Sequence, residues 1–257
     1  MRAIHVGASL AAMLLVLASC EKASPTPPSP TVTSIAFTSS TDVLKVKEAV
    51  TFIAAATLSD GTSAPVTDWR SDMPSVATVD AVTGKVTGVA TGTATIVASH
   101  AGVSATKLIR VLPDFGGTWK GEYGVTSCSG FGPSRAAEIC DYTALMVGQL
   151  TFDFGQNREQ VTGTMDYGYF LSGKLHPVGP VSVSGTINTS GRLTLMGSFT
   201  NSRGIGFVLR ADETDLYISA DHVLGTFMVD MTIPSSQGPS HVTFGHTIWG
   251  SGLTKVN

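Results

Sequence analysis

The chain has 257 residues, with 16 Lys and Arg against 19 Asp and Glu, and a formal net charge of −3. Its basic residues are scattered and form no run able to neutralise a phosphate backbone, so no nucleic-acid partner is expected. Only 14% of residues are charged and 28 are Gly, the composition of an exported, turn-rich β protein with room for two small domains.

Arg2 precedes an apolar run over residues 3–17, the length of an export signal and short of the ~20 residues a spanning helix needs. The run closes on Leu17-Ala18-Ser19-Cys20, which resembles the bacterial lipobox. The resemblance implies that residues 1–19 are a lipoprotein signal peptide and that Cys20 is lipidated and becomes the mature first residue. Acyl chains, at ~0.8 kcal/mol per buried methylene, would anchor the protein to a membrane without spanning it. Glu21 stands where an aspartate would favour inner-membrane retention. The expected address is therefore the cell envelope, at the outer membrane, periplasmic or surface-exposed. In residues 20–33, Pro25, Pro27, Pro28 and Pro30 among Ser, Thr and Ala favour an extended tether.

Residues 34–112 read as short strands at 34–37, 50–58, 68–71, 76–79, 85–89, 93–99 and 105–111, with turns at Asp60-Gly61, Thr83-Gly84 and Thr91-Gly92. This strand density is that of a sandwich, with Trp69 filling the space between sheets. Trp69-Arg70-Ser71, Ser75-Val76-Ala77-Thr78-Val79-Asp80, Gly84-Lys85-Val86-Thr87-Gly88-Val89-Ala90 and Gly92-Thr93-Ala94-Thr95-Ile96 follow one another in a recognisable order and spacing. The segment resembles the group 2 bacterial immunoglobulin-like domain of intimin- and invasin-type surface proteins. The resemblance implies an immunoglobulin-like sandwich without a disulfide, serving as a stalk or spacer or as an adhesive or carbohydrate-binding surface, with no family catalytic residue. Gly84, Gly88 and Gly92 suit turns and bulges, since no helix follows them to cradle a phosphate. Asp60 and Asp80 are expected to be solvated turn residues.

Pro113-Asp114 marks a boundary, and residues 113–257 carry longer period-two strands. Leu150, Phe152 and Phe154 share one face, as do Val181, Val183 and Ile187, then Leu193, Leu195 and Phe199. Ile205, Phe207 and Leu209 continue the series, followed by Leu216 and Ile218, by Phe227, Val229, Met231 and Ile233, and by Val242, Phe244 and Ile248. Eight to ten such strands predict an antiparallel meander that closes into a β-barrel or folds into a sandwich, with closure favoured because it removes exposed edges. The opening Phe115-Gly116-Gly117-Thr118-Trp119 resembles the Gly-x-Trp start of lipocalin-like proteins, which implies that Trp119 caps one end. The fold class is thus all-β, an immunoglobulin-like sandwich followed by a lipocalin-like barrel or sandwich.

With Cys20 lipidated, Cys128 and Cys140 remain as an even pair in an oxidising compartment and are expected to form a disulfide. Their loop would cover an edge or mouth of the barrel, exposing Phe131 and Arg135. No nucleophile elbow, zinc helix or P-loop is present, so no catalytic residue, metal or cofactor is expected. His241 and His246, an odd number apart, would face opposite sides of a strand, both half-exposed, and His176 would sit in a loop. Asp153, Asp166, Asp212, Glu213, Asp215, Asp221 and Asp230 are available for general acid and base work. Trp119, Phe152, Phe154, Phe207 and Phe227 would line a small apolar pocket if the interior is open, or fill a core if it is not. The expected function is non-enzymatic: a membrane-anchored lipoprotein whose spacer presents the C-terminal module to an envelope glycan or to a host or neighbouring protein. The alternatives are carriage of a small apolar ligand and hydrolysis of a cell-wall polysaccharide.

Overall fold

β-branched triplets between Gly- and Asp-containing turns make the first module a set of short strands, as period and turn chemistry dictate. In a computed structural model of the chain, residues 28–132, 139–140, 147–171 and 174–256 are described, and of residues 169–171, 174–176 and 213 the backbone only. The leader, Cys20 and Arg135 lie outside the described residues. The first module holds β1 (Val32–Phe37), β2 (Val43–Lys45), β3 (Ala49–Thr51), β4 (Ala54–Leu58), β5 (Ser63–Pro65), β6 (Asp68–Ser71), β7 (Ala77–Val79), β8 (Lys85–Gly88), β9 (Gly92–His100) and β10 (Val103–Leu112). They pair as β1-β4-β5, β2-β10-β9-β6 and β3-β8-β7.

Between these sheets Trp69 packs edge-on to Phe37 at 5.8 Å and its Nε1 donates to the Val66 carbonyl at 3.3 Å. Gly84 is at φ +67°, and an added Cβ would come within 2.9 Å of the Trp69 ring, so the turn admits only glycine. Asp80 Oδ1 accepts from the Val82 and Thr83 amides at 3.1 and 2.8 Å, which makes it a turn residue as expected. The anticipated strand over 50–58 is broken: Phe52 turns into the core and Ile53 faces solvent, so β3 joins β8 while β4 joins β1. Neither β2 nor β5 was anticipated from the local pattern.

The second module comprises β11 (Gly117–Phe131), β12 (Val147–Asn157), β13 (Gln160–Leu171), β14 (Lys174–Pro177), β15 (Val181–Ile187), β16 (Leu193–Thr200), β17 (Gly206–Leu209), a 3-10 turn at Ala211–Glu213, β18 (Asp215–Ser219), β19 (His222–Ile233), β20 (Ser240–Ile248) and β21 (Leu253–Val256). They form one antiparallel sheet that closes on itself, so of the two expected outcomes the chain takes the ring. It is not a regular barrel. β14 and β15 both pair with β13, β17 and β18 both lie between β16 and β19, and β20 and β21 both lie between β19 and β11. Each of these three lanes is interrupted by a short excursion. Apolar side chains alternate inward along the long strands, and Phe115, Trp119, Phe152, Leu150, Met165, Leu193 and Phe227 are among those buried. Outward positions such as Thr151, Asp153, Ser182, Ser184 and Thr243 are polar, the reverse of a barrel whose outer band faces lipid.

Residues 31–257 form one unit, and the two modules meet through packed and charged contacts. Val43 and Leu112 join the apolar core of the ring. The turn between β12 and β13 points both its residues at the first module: Arg158 pairs with Asp42 at 2.6 Å, and Glu159 with Arg110 at 2.8 Å. Asp114 lies between Lys45 at 3.0 Å and Lys255 at 3.2 Å. Partial burial pushes the Asp114 carboxyl up, but these two ammonium groups hold it below the usual carboxylate value. Gln156 completes the joint, accepting from the Phe115 amide at 2.8 Å and donating to the Pro113 carbonyl at 3.1 Å. Arg110 and Glu159 are about three-quarters sheltered from solvent, so a double-mutant cycle on Arg110→Met and Glu159→Gln is expected to give a coupling of about 1 kcal/mol in denaturant melts. A coupling indistinguishable from zero would mean that the pair does not tie the modules together.

Candidate functional site

The five rings expected to line a pocket divide by depth. Trp119, Phe152, Phe154 and Phe227 are buried in the core, and Phe152 and Phe154 stack at 4.7 Å. Trp119 sits at the end of the ring nearest the first module, where its Nε1 donates to the Phe115 carbonyl at 2.6 Å and Lys255 Nζ lies 5.4 Å from the ring centroid. Phe207 lies toward the opposite end, half-buried and stacked on Phe199 at 4.7 Å. Met231, its cross-strand partner, is also half-buried, and the half-buried Phe244 lies one inward position nearer His246.

At this far end Cys128 is bonded to Cys140, the expected pair, with Cα atoms 5.4 Å apart. A bulge between Val125 and Ser127 shifts the inward parity of β11, which turns Cys128 to the side of Phe244, its cross-strand partner. Phe131 follows at the end of the strand, 69% exposed, its ring tilted against His241 at 5.2 Å. The exposed place expected for Phe131 is therefore the observed one.

Opposite facing of His241 and His246 is also observed, but His246 is not half-exposed. Its register places it with Val242, Phe244 and Ile248 on the inward face, and it is buried, its ring stacked on Phe227 at 4.7 Å with Tyr123 at 5.1 Å. Its Nδ1 has no hydrogen-bond partner among the described residues. Burial disfavours the charged imidazole and lowers its pKa to about 4, against a smaller opposing effect of the Phe227 and Phe244 backbones. His176 lies in β14 and not in a loop.

Several of the carboxylates singled out in the sequence are engaged structurally. Asp153 pairs with the Thr118 hydroxyl at 3.2 Å, Asp215 with Arg192 at 2.8 Å, Asp221 with Lys47 at 3.1 Å, and Asp230 with the Thr243 hydroxyl at 2.7 Å. Among the described residues no group of three His, Cys, Asp or Glu side chains is arranged to hold a metal ion, and no helix is long and apolar enough to cross a membrane.

The outer wall carries a feature that sequence reasoning missed. Trp249 opens the excursion between β20 and β21, with its amide donating to the Glu122 carbonyl at 3.0 Å and its carbonyl accepting from Gly252 at 3.1 Å. Its indole lies directly on Gly124, where an added Cβ would fall onto Cε2 and Cζ2 and within 2.6 Å of Nε1. It stays 45% exposed nonetheless. Beside it runs a groove of about 250 Å³ lined by Lys120, Gly121, Glu122, Gln149, Leu150 and Thr151. The signal that could have found it is the tryptophan heading the Gly- and Ser-rich turn Trp249-Gly250-Ser251-Gly252.

Residues 31–108 match the family model of the bacterial Ig-like domain, group 2. The resemblance read from Trp69 to Ile96 thus holds for the first module, here called the Ig-like module. No curated protein matches the chain. Among solved structures, domains 4–9 of the surface layer protein SbsC align at 13% identity over 83% of this chain and 31% of that one, with a TM-score of 0.30. Domains 5–6 of the S-layer protein SbsC align at 15% identity over 83% of this chain and 97% of that one, again at 0.30. This chain spans about a third of the first of these structures, and at such TM-scores the superpositions carry no weight for function.

The buried imidazole makes stability pH-dependent with a definite sign. The unfolded side chain protonates near 6.5 and the folded one near 4, so the unfolded state takes up the proton first and stability falls as pH drops below about 6.5. His246→Phe is expected to remove about 2 kcal/mol of the loss between pH 7 and pH 5, read by urea melts at both values. Parallel pH dependence in the two proteins would place the imidazole in a solvated site.

Proposed function

We propose that the protein is a lipid-anchored, non-enzymatic component of the bacterial cell envelope, in which the Ig-like module is a spacer and the ring is the contact module. The junction is the observation that carries this reading. Val43 and Leu112 pack into the ring and Arg158, Glu159 and Asp114 are paired across the joint, contacts that tie the two modules into one compact unit. Ser39 accepts from Lys107 at 2.8 Å and β2 runs parallel to the end of β10, so the chain travels the Ig-like module in the direction in which it leaves it. Such a path separates the point of entry from the ring, as a spacer requires. The Leu17-Ala18-Ser19-Cys20 sequence supplies the anchor in this reading, with Cys20 the lipidated residue and the outer membrane the address. The ring would then meet an envelope glycan, or a host or neighbouring protein, through its polar outer wall.

A second reading, carriage of a small ligand inside the ring, is favoured by one observation: the Nδ1 of the buried His246, unpartnered among the described residues, with the half-buried Phe244 ring 6.1 Å away. Saturable displacement of a fluorescent fatty acid from the full chain, weakened by His246→Leu, would raise this reading above the first.

The anchor is tested in cells. Cys20→Ser is expected to move the protein from the membrane to the soluble fraction and to abolish metabolic labelling with palmitate, while antibodies to the ring label intact or outer-membrane-permeabilised cells expressing the native sequence. Unchanged membrane retention of the variant without labelling would overturn the lipid-anchor reading.

A further inference from the structure

We infer that the outer wall of the ring at β11 and β12 carries a carbohydrate-binding subsite, with Trp249 as the stacking platform and Glu122, Gln149, Lys120 and Thr151 as its polar rim. The inference rests on the contact role proposed above and names the chemical class of the partner. An indole buries most favourably inside a core, yet this one is fixed outside, by backbone hydrogen bonds on both sides of residue 249 and by the glycine at 124 that lets it lie flat. One face rests on the wall, and almost half of the residue's surface is left to solvent. That is the arrangement that receives the apolar C–H face of a pyranose.

The neighbouring side chains supply what the edge of a sugar needs. Glu122 and Gln149 are directly opposed across the strand pair, as are Lys120 and Thr151, so the two pairs form consecutive rungs next to Gly124. Between them they offer carboxylate, amide, ammonium and hydroxyl groups, donors and acceptors together, with one positive and one negative charge. None of these four side chains makes a hydrogen bond or ion pair with the described residues, so each is available to a ligand. From Gly124 to Lys120 the strand covers roughly 14 Å, which suits a short oligosaccharide better than a single ring. A neutral glycan matches the balanced charge. An extended peptide does not match the backbone: β11 is bonded to β12 on one side and to β20 and β21 on the other, and β12 to β11 and β13, leaving no free edge for strand addition.

The test uses intrinsic fluorescence of the detergent-solubilised full chain. Trp69 and Trp119 are buried, so the solvent-quenchable emission belongs to Trp249. Cellotetraose, chitotetraose, maltotetraose and laminaritetraose are titrated to about 10 mM. The expected result is a saturable blue shift, with protection from acrylamide, by at least one of them. Trp249→Ala should weaken binding of that sugar at least tenfold by calorimetry, Gln149→Ala several-fold, and Gly124→Ala, which lifts the indole from the wall without removing it, by an intermediate factor. No saturable response to any of the four sugars, or a response that Trp249→Ala and Gln149→Ala leave unchanged, overturns the inference. Failure here with Cys20-dependent anchoring intact would leave the display role standing, whereas sugar binding by a protein that is not anchored would sink the display role alone.

Discussion

Pairing of the first strand of the ring with the last is the constraint on which the remaining features depend. β11 takes β20 along one half of its length and β21 along the other, and so joins residues more than a hundred positions apart. Closure turns a meander into a body with an inside and an outside. Every second side chain is thereby committed to one or the other, which is why Phe152 and Phe227 are buried while Thr151 and Thr226 are not. It also removes the free edges that a long antiparallel sheet would otherwise present to other chains. The interrupted lanes let the sheet close around large rings, at the expense of regularity. One of those interruptions places Trp249 over Gly124.

The joint between the modules combines apolar contact with charge. Neither alone would fix an orientation well: exposed ion pairs contribute little, and two small apolar residues bury little area. Together they act on a short connection, Pro113 to Gly116, that leaves few conformations to lose. The hairpin turn at Arg158 and Glu159 is notable because Arg158 is held at φ +55°, a conformation that costs an L-residue energy and that the two-residue loop between β12 and β13 imposes.

Much of this was legible in the sequence, and the exceptions have physical causes. The period-two faces from Leu150 to Ile248 identified the inward residues because alternation is a local property of a strand with one buried side. The disulfide was legible from cysteine parity. β2 was not, because three residues become a strand only through a parallel partner, β10, far along the chain. The break at Phe52 was hidden for the same reason, since the sheet each half joins is decided by distant strands. His246 was misjudged although the signal was present: it stands in step with Val242, Phe244 and Ile248, and polarity was allowed to outweigh phase. Of the outer-wall site nothing was anticipated, because a glycine beneath an indole is a relation between two strands that neither strand records by itself.

The same first-to-last pairing sets a timetable. Synthesis delivers β11 well before β20 and β21, so for most of that interval the module is an unsealed sheet with two bare edges and an apolar face. The Ig-like module, whose pairings all lie within residues 32–112, is free of this delay. A newly made chain therefore carries a half-built cylinder behind a finished domain, and the residues that seal it are the last to arrive.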